Sequence, residues 1–344
     1  MSTPSAPPNR PRLILAGLGG GSGKTIVTLG LCRAWTRQGR RLNVFKKGPD
    51  YIDAAWLGLA ARDTASNLDP FLMPADRLRD LFWHRVANAD LGLVEGNRGL
   101  FDGKDLEGSC STAELARQLR APVVLIVDCT KSTRTVAAIV AGCRDFEPGL
   151  DLAGVILNRT AGERHRQILT QCVEHYTQVP VVGALPKLSP NPIPERHMGL
   201  ISNQELPGQE RQDHSQVQED ILENLADIAE RHLDLDRLWE IAARAPAETE
   251  PVFPLWPTDL SATTHTVPLT RIGYVHDAAL WFYYRENLEA LERAGAELVP
   301  VSLLDTGDWP EVHGLYLGGG FPETLARPLA ENARVRQRVR TMAE

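Results

Sequence analysis

The sequence predicts a doubly wound α/β protein built on a mostly parallel sheet. Three observations predict it. Short apolar runs alternate with longer amphipathic segments. The short runs are continuous in Val, Ile and Leu, as strands covered on both faces must be. The first of them opens, through a glycine-rich turn, directly into a helix. That is the βα unit of a parallel sheet.

The elements follow in order. Residues 1–12, MSTPSAPPNRPR, are polar and proline-rich and read as a loose tail with no signal-peptide core. Leu13–Gly17 is a buried strand and Lys24–Arg37 a helix. Leu42–Phe45 is a strand. Ala75–Val86 is a helix with Leu78, Leu81, Phe82 and Val86 on one face. Leu91–Val94 is a strand, Ser111–Leu119 a helix, Val123–Val127 a strand and Thr133–Cys143 a helix. Val155–Leu157, a helix over Arg164–His175 and the strand Val181–Ala184 continue the alternation. Residues 185–215 read as ordered loop and Gln216–Leu233 as a helix. Residues 245–268 are rich in proline with little periodicity, which predicts a linker. A second α/β unit then begins, with strands at Arg271–Val275, Leu298–Val301 and Leu315–Leu317 and a helix at Tyr284–Ala294. Its stretch of about 75 residues is small for a doubly wound domain. The domain expectation is therefore 13–244, a linker over 245–268, and an incomplete unit over 269–344.

Composition narrows the function classes. The chain has 344 residues, 43% hydrophobic and 24% charged, with a net charge of −7. A mildly acidic chain is a poor candidate for sequence-independent DNA binding, which needs a basic face. The apolar run Pro122–Val127 is far too short to span a bilayer. The five cysteines form no CxxC pair and the nine histidines no zinc spacing. Reduced thiols in a cytoplasmic protein are the expectation.

The chemistry concentrates in the glycine turn. A strict Walker A loop has Gly, four residues, then Gly-Lys-Ser/Thr. Here Gly23-Lys24-Thr25 is preceded by Gly19, Gly20, Gly21 and Ser22, and the first glycine, Gly17, stands one residue early. Backbone N–H groups of such a turn and the helix start beyond it bind phosphate. Lys24 is expected on the phosphates and Thr25 on Mg²⁺. Such a loop needs an acidic partner at a later strand end. Glu95, ending LGLVEG, and Asp128, ending VVLIVD, both qualify. The second strand ends in Lys46, Lys47, Asp50 and Asp53 on the same edge, where lysine neutralises a transferring phosphoryl group and aspartate helps hold metal. Asn158 ends another strand and can pair with an adenine edge.

Taken together, AGLGGGSGKT, FKKGPDYID, NLDPFLM, VEGNRGLFDG, STAELARQL, APVVLIVD, GVILNR, PERHMGL, FYYRENLEALERAGAELV and LYLGGGFPE run in one order along the chain. In that combination the sequence resembles the cobyrinic acid a,c-diamide synthase family. The resemblance implies a P-loop NTPase-type, dethiobiotin synthetase-like domain followed by the start of a class I glutamine amidotransferase-like α/β domain. Dethiobiotin synthetase-like loops also place the first glycine where Gly17 stands. Partition-type ATP switches carry a signature lysine at the position of Gly19.

The implied activity is a carbon–nitrogen ligase using ATP and Mg²⁺, with glutamine as amide donor. A tetrapyrrole polycarboxylate would be phosphorylated to an acyl phosphate, then amidated by ammonia on its a and c acetate arms. Lys24, Thr25 and Glu95 would handle triphosphate and Mg²⁺, with Asp50 as a further metal residue. Lys46, Lys47, Asp50 and Asp53 would sit at the γ-phosphate and acceptor carboxylate, and Asn158 at adenine. Ser111, Thr112, Arg196 and His197 would meet substrate carboxylates.

Two departures stand out. EGNRGLFDG and KKGPDYIDAAW differ from the cobyrinate pattern, and Thr130–Thr135 is basic and hydroxylated; all three resemble the branch acting on sirohydrochlorin or siroheme. None of the five cysteines lies beyond Cys172, whereas the amidotransferase domain of the family has a nucleophilic Cys beyond its GGGFPE helix. The expectation is that this polypeptide alone does not hydrolyse glutamine: a fragment, a split subunit with a separate glutaminase, or an ammonia-using form. A homodimer is also open. A dethiobiotin synthetase-like ligase and a non-enzymatic ATP switch are the competing readings.

Overall fold

A computed structural model of the chain describes residues 9–189, 193, 195–196, 199–200, 211–256, 270–305 and 307–344, with the backbone alone at 195–196, 199–200 and 211–214. The chain forms two compact units, the first ending at Leu255 and the second beginning at Trp256.

The first unit carries β1 (Arg12–Gly17), α1 (Lys24–Arg37), β2 (Leu42–Lys47), α2 (Tyr51–Ala61), β3 (Ser66–Leu68), α3 (Ala75–Val86) and β4 (Leu91–Glu95). It continues with α4 (Thr112–Gln118), β5 (Val123–Asp128), α5 (Arg134–Asp145), β6 (Leu152–Thr160), α6 (Glu163–Thr177) and β7 (Val181–Pro186). Strands β1 to β7 form one parallel sheet in the order β3-β2-β4-β1-β5-β6-β7. The apolar runs are buried on both faces: every residue of β1 and β4 is inside. Central β1 lies between β4 and β5, so the glycine turn leaves the sheet beside the ends of the strands carrying Glu95 and Asp128. Ligands bind at such carboxyl ends in open α/β sheets.

Two further helices, α7 (Arg211–His232) and α8 (Leu235–Ala243), follow a two-stranded antiparallel pair, β8 (Glu195–Arg196) and β9 (Gly199–Leu200). Helix α7 packs along α1 through Leu222, Leu225, Ala226 and Ala229, all buried. Burying side chains of this size stabilises by about 1.5–3 kcal/mol each for the larger ones. The helices approach closely at Gly30, where an added Cβ would stand 2.6 Å from the Leu225 carbonyl oxygen.

The structure departs from the sequence reading at several places. The tail ends before Arg12, which is buried in β1. Its guanidinium donates to the carbonyls of Leu119 (2.6 Å), Arg120 (3.1 Å) and Pro246. A buried arginine is tolerated because carbonyls satisfy its donors. Helix α2 and strand β3 were not expected; α2 starts where the Asp50 side chain accepts from the N–H of Asp53. Residues 185–215 are not loop throughout, since β7 runs to Pro186, β8 and β9 pair, and α7 begins at Arg211. Helix α8 was likewise unread; Asp234 caps it by accepting from the N–H of Arg237.

The proline-rich stretch 245–268 also divides. Residues 245–255 belong to the first unit: Glu248 is buried and accepts from Trp83 Nε1 at 3.0 Å, and the Phe253 N–H donates to Asp80 at 2.8 Å. Proline content signals an irregular path, not a free one. Residues 257–269 lie outside the described residues.

The second unit has a three-stranded parallel sheet, β12-β10-β13. Its elements are β10 (Thr270–Val275), β11 (Leu280–Phe282), α9 (Arg285–Arg293), β12 (Ala296–Val301), β13 (Gly314–Tyr316), β14 (Gly319–Gly320), α10 (Ala326–Glu331) and α11 (Ala333–Ala343). Tyr283 ties it together: its hydroxyl lies 2.7 Å from the Val275 carbonyl and accepts from the N–H of Gly318 at 2.8 Å.

Candidate active site

The glycine turn between β1 and α1 is shaped by close approaches. A Cβ at Gly17 would stand 2.3 Å from Ser22 Oγ and 3.0 Å from Lys24 Cγ. That is why the first glycine stands at 17: the loop folds back onto that position. Gly23 has φ +87, a left-handed value that side chains other than glycine adopt at a cost, and a Cβ there would meet Asn158 Nδ2 at 2.2 Å. Lys24 begins α1 and bends back over the turn. Its ammonium donates to the carbonyls of Gly19 (2.8 Å) and Arg98 (2.9 Å) and lies 3.4 Å from Ser22 Oγ. Burial holds its pKa below the ordinary lysine value, and the Glu95 carboxylate opposes that shift.

One turn of charge sits beside it. Glu95, wholly buried at the end of β4, accepts at Oε1 from Thr25 Oγ1 (2.8 Å) and Lys46 Nζ (2.6 Å). Lys46 also donates to Asp53 Oδ2 at 2.5 Å, and Thr25 Oγ1 lies 3.3 Å from the same oxygen. Two carboxylates therefore face one ammonium. Burial lowers the Lys46 pKa, but Glu95, Asp53 and Asp50 outweigh it and the net shift is upward. Burial pushes Glu95 up; Lys46 opposes this and Asp53 reinforces it. Glu95 Oε2 is buried with no hydrogen-bond partner. A buried acceptor left unpaired is costly, and the surplus negative charge favours a cation.

The donor set fits Mg²⁺. Among the described residues no group of three His, Cys, Asp or Glu side chains could hold a metal by itself. Mg²⁺ needs no such cage, since it takes one or two protein oxygens and completes its shell with phosphate and water. Thr25 Oγ1 and Glu95 Oε2 are oxygens of that kind, with Asp53 adjacent.

Of the two strand-end acids, Glu95 is the one in contact with Thr25 and Lys46. Asp128 is engaged elsewhere: it accepts from Arg159 Nη1 (2.5 Å), the Thr130 N–H (2.9 Å) and Thr130 Oγ1 (2.6 Å). Burial raises its pKa, but Thr130 and Arg159 outweigh that and hold it below the usual carboxylate range.

Comparison with known proteins places the chain in a family. Residues 13–200 match the family model described as CobQ/CobB/MinD/ParA nucleotide binding domain. A cobyrinate a,c-diamide synthase of Magnetococcus marinus is 42% identical over 97% of this chain and 69% of its own length. Those of Dehalococcoides mccartyi and Syntrophotalea carbinolica are each 40% identical, over 94% and 97% of this chain and 68% and 70% of theirs. The chain belongs to the cobyrinate a,c-diamide synthase family. It spans about two thirds of the length of these relatives. Among solved structures, chloroplast FtsY of Physcomitrella patens matches at a TM-score of 0.39 with 16% identity over 64% of this chain and 67% of its own, too distant to bear on function.

The remaining expected site residues divide within this family member. Lys47 ends β2 and is 9% exposed, and its ammonium makes no hydrogen bond or ion pair among the described residues. Burial lowers its pKa, countered first by Asp69. Asp50 is a helix cap: its Oδ1 accepts from the Asp53 N–H at 2.9 Å, so it orients Asp53. Burial and then Asp53 raise its pKa.

Asn158 Nδ2 donates to the Ser22 carbonyl at 2.9 Å and Oδ1 accepts from the Arg159 N–H at 2.9 Å. It braces the glycine turn, with one donor and one acceptor position remaining on its amide. Ser111 and Thr112 are held by local hydrogen bonds. Both are buried; Ser111 Oγ caps α4 by accepting from the Glu114 N–H, and Thr112 Oγ1 bonds the backbone of Asn97. Their hydroxyls shape the loop after β4. Arg196 lies in β8 by its backbone, and His197 lies outside the described residues.

Sequence reading missed the Arg98 carbonyl on Lys24 and the role of α2 in carrying Asp53 to Lys46. A signal for α2 was present: Asp50, three residues before Asp53 and ahead of the apolar AAWLGLAA, is an N-cap pattern. A backbone carbonyl leaves no such signal.

Proposed function

We propose that this chain performs the ATP-dependent amidation of the a and c acetate arms of a cobyrinate-type tetrapyrrole through an acyl phosphate. The observation that carries it is the Thr25–Glu95–Lys46–Asp53 cluster beside the Lys24 turn, in a chain 42% identical to a cobyrinate a,c-diamide synthase. A carboxylate is a poor electrophile, and the site is built to activate one. A substrate carboxylate oxygen attacks the γ-phosphorus of ATP, a P–O bond forms, and the bond to the bridging oxygen breaks with release of ADP. Ammonia then attacks the acyl carbon, loses a proton, and inorganic phosphate leaves.

Lys24 and the N–H groups of residues 19–25 hold the phosphates. Charge developing on the transferring phosphoryl group is met by ammonium groups held in place beforehand. Lys46 is one, kept protonated by Glu95 and Asp53; Lys47, unpaired at the same edge, is the group for the acceptor carboxylate. Mg²⁺, when bound at Thr25 and Glu95, supplies charge neutralisation on the phosphates. Asn158 uses its remaining amide positions for adenine. Glutamine is the natural nitrogen source if the second unit is the start of an amidotransferase domain, with free ammonia serving in its place.

Mass spectrometry of the products formed from cobyrinate, ATP, Mg²⁺ and ammonium tests this. Two acid groups converted to amides are expected. The extra lysine of FKKGPDYID and the EGNRGLFDG loop favour a second acceptor, sirohydrochlorin or siroheme, to be offered in parallel. Formation of neither product would end the ligase reading.

A further inference from the structure

The segment Asn67–Met73, NLDPFLM, has no role in the phosphate chemistry, yet it stands beside Lys47. Register places Lys47 opposite Leu68 at the end of β3. The turn that follows is pinned by buried Asp69: its Oδ1 accepts from the N–H of Phe71 at 2.9 Å, and its carbonyl accepts from the N–H groups of Leu72 (3.2 Å) and Met73 (2.9 Å). Two large apolar side chains are thereby held outward, Phe71 at 69% exposure and Leu72 at 58%. Across from them, the loop after β4 brings Lys104 Nζ to 5.6 Å from the Phe71 ring centre.

Adjacent apolar side chains held outward on a pinned turn form an apolar patch that a ligand can cover. The charges around them favour an anionic cover. Among the described residues Lys47 is unpaired, and Arg98 stands near it. The two acids facing Lys47 are engaged with backbone N–H groups, Asp69 with Phe71 and Glu114 with Cys110.

We propose that Phe71 and Leu72 form the platform on which the acceptor's macrocycle lies, with Lys104 at its rim and a carboxylate arm reaching Lys47. This rests on the reading of the acceptor as a tetrapyrrole acid. The chemistry required is a flat, largely apolar body carrying several carboxylates. A small aliphatic acid would meet Lys47 but would not cover both side chains. Because the turn is fixed by Asp69, the platform is formed before the ligand arrives, which lowers the ordering cost of binding.

The test is equilibrium dialysis of cobyrinate against the wild-type chain and the Phe71→Ser/Leu72→Ser double variant, with a non-hydrolysable ATP analogue present. Both side chains are exposed, so the variant keeps its thermal midpoint and its affinity for the analogue. Cobyrinate affinity is expected to fall by about tenfold or more, since the apolar area of two large side chains is lost from the complex. Lys104→Gln is expected to weaken binding further. With ammonium and Mg²⁺ATP, the double variant shows a raised KM at nearly unchanged kcat, the mark of lost uniform binding.

Equal cobyrinate affinity in wild type and double variant overturns the platform while leaving the ligase reading intact. So does a wild-type dimer in sedimentation that the double variant dissolves without change in cobyrinate affinity; the cover is then a second copy. A wild-type chain that binds the ATP analogue but no tetrapyrrole acid overturns both.

Discussion

Lys24 is held by two carbonyls and one hydroxyl, with no carboxylate in hydrogen-bond contact. Its ammonium is thus available to phosphate at the loss of neutral partners only. Lys24→Ala is expected to lower ATP-dependent amidation by about 10²–10³-fold or more, with the thermal midpoint close to wild type. A turnover assay beside a melting curve checks both.

Glu95 permits a pH prediction. Burial raises its folded pKa above the ordinary value of 4.5. The folded state then binds more protons than the unfolded state between those two pKa values. Stability from this group is full below 4.5 and falls as pH rises through the raised folded value. The difference in melting temperature between Glu95→Gln and wild type, both free of nucleotide and metal, should therefore grow in favour of the variant as pH rises from 4.5 toward neutrality. The same variant should lose amidation, because the charged oxygen beside Thr25 is gone. A difference that shrinks with pH would mean that Glu95 is stabilised as the anion.

At the scale of elements, the contact of α1 with α7 depends on the missing side chain of Gly30. Gly30→Ala pushes a methyl against the Leu225 carbonyl, and overpacking of this kind costs about 1–3 kcal/mol. The urea midpoint should fall at unchanged slope. The stretch 245–255 offers a second test. Glu248→Ala leaves Trp83 Nε1 buried without its acceptor, which costs about 1–3 kcal/mol. Faster proteolysis near 245–255 and a shifted Trp83 emission would report its release.

The parallel sheet, though not its strand order, was legible because continuous Val/Ile/Leu runs between amphipathic helices indicate strands covered on both faces. Helix α2 was obscured by its own charges. FKKGPDYID reads as a strand end with a polar tail, and its N-cap is visible only when Asp50 is read as part of a helix. The strand-end acids were legible from spacing as a pair, Glu95 or Asp128, and only the family resemblance pointed to Glu95. Asp128 has Thr130 two residues on and Arg159 on the neighbouring strand, and both consume its charge. Ser111 and Thr112 also serve a cap and a loop, which their place in the sequence did not reveal.

At the scale of the molecule, the first unit contains the phosphate turn, the acidic cluster and its own core. A fragment ending at Leu255 is therefore expected to fold and to bind Mg²⁺ATP with the affinity of the longer chain. Loss of that binding, by calorimetry on the fragment, would show that the second unit is needed for it. With a net charge of −7, ATP turnover should respond to tetrapyrrole acids and not to DNA or lipid vesicles; the reverse response would favour an ATP switch.

The sequence by itself determined the sheet class, the glycine turn and the short roster of charged residues near it. Those depend on periodicity and on local backbone chemistry, which a chain carries in its own spacing. Only the tertiary structure decided which of those charges meet. Lys46 joins Glu95 across the paired strands β2 and β4, and Asp53 reaches the same ammonium because α2 turns it back. Such meetings depend on burial and strand order, which bring together residues dozens of positions apart. The offset glycine belongs to both: its place was visible in the sequence, and its cause is the close approach of Ser22 and Lys24.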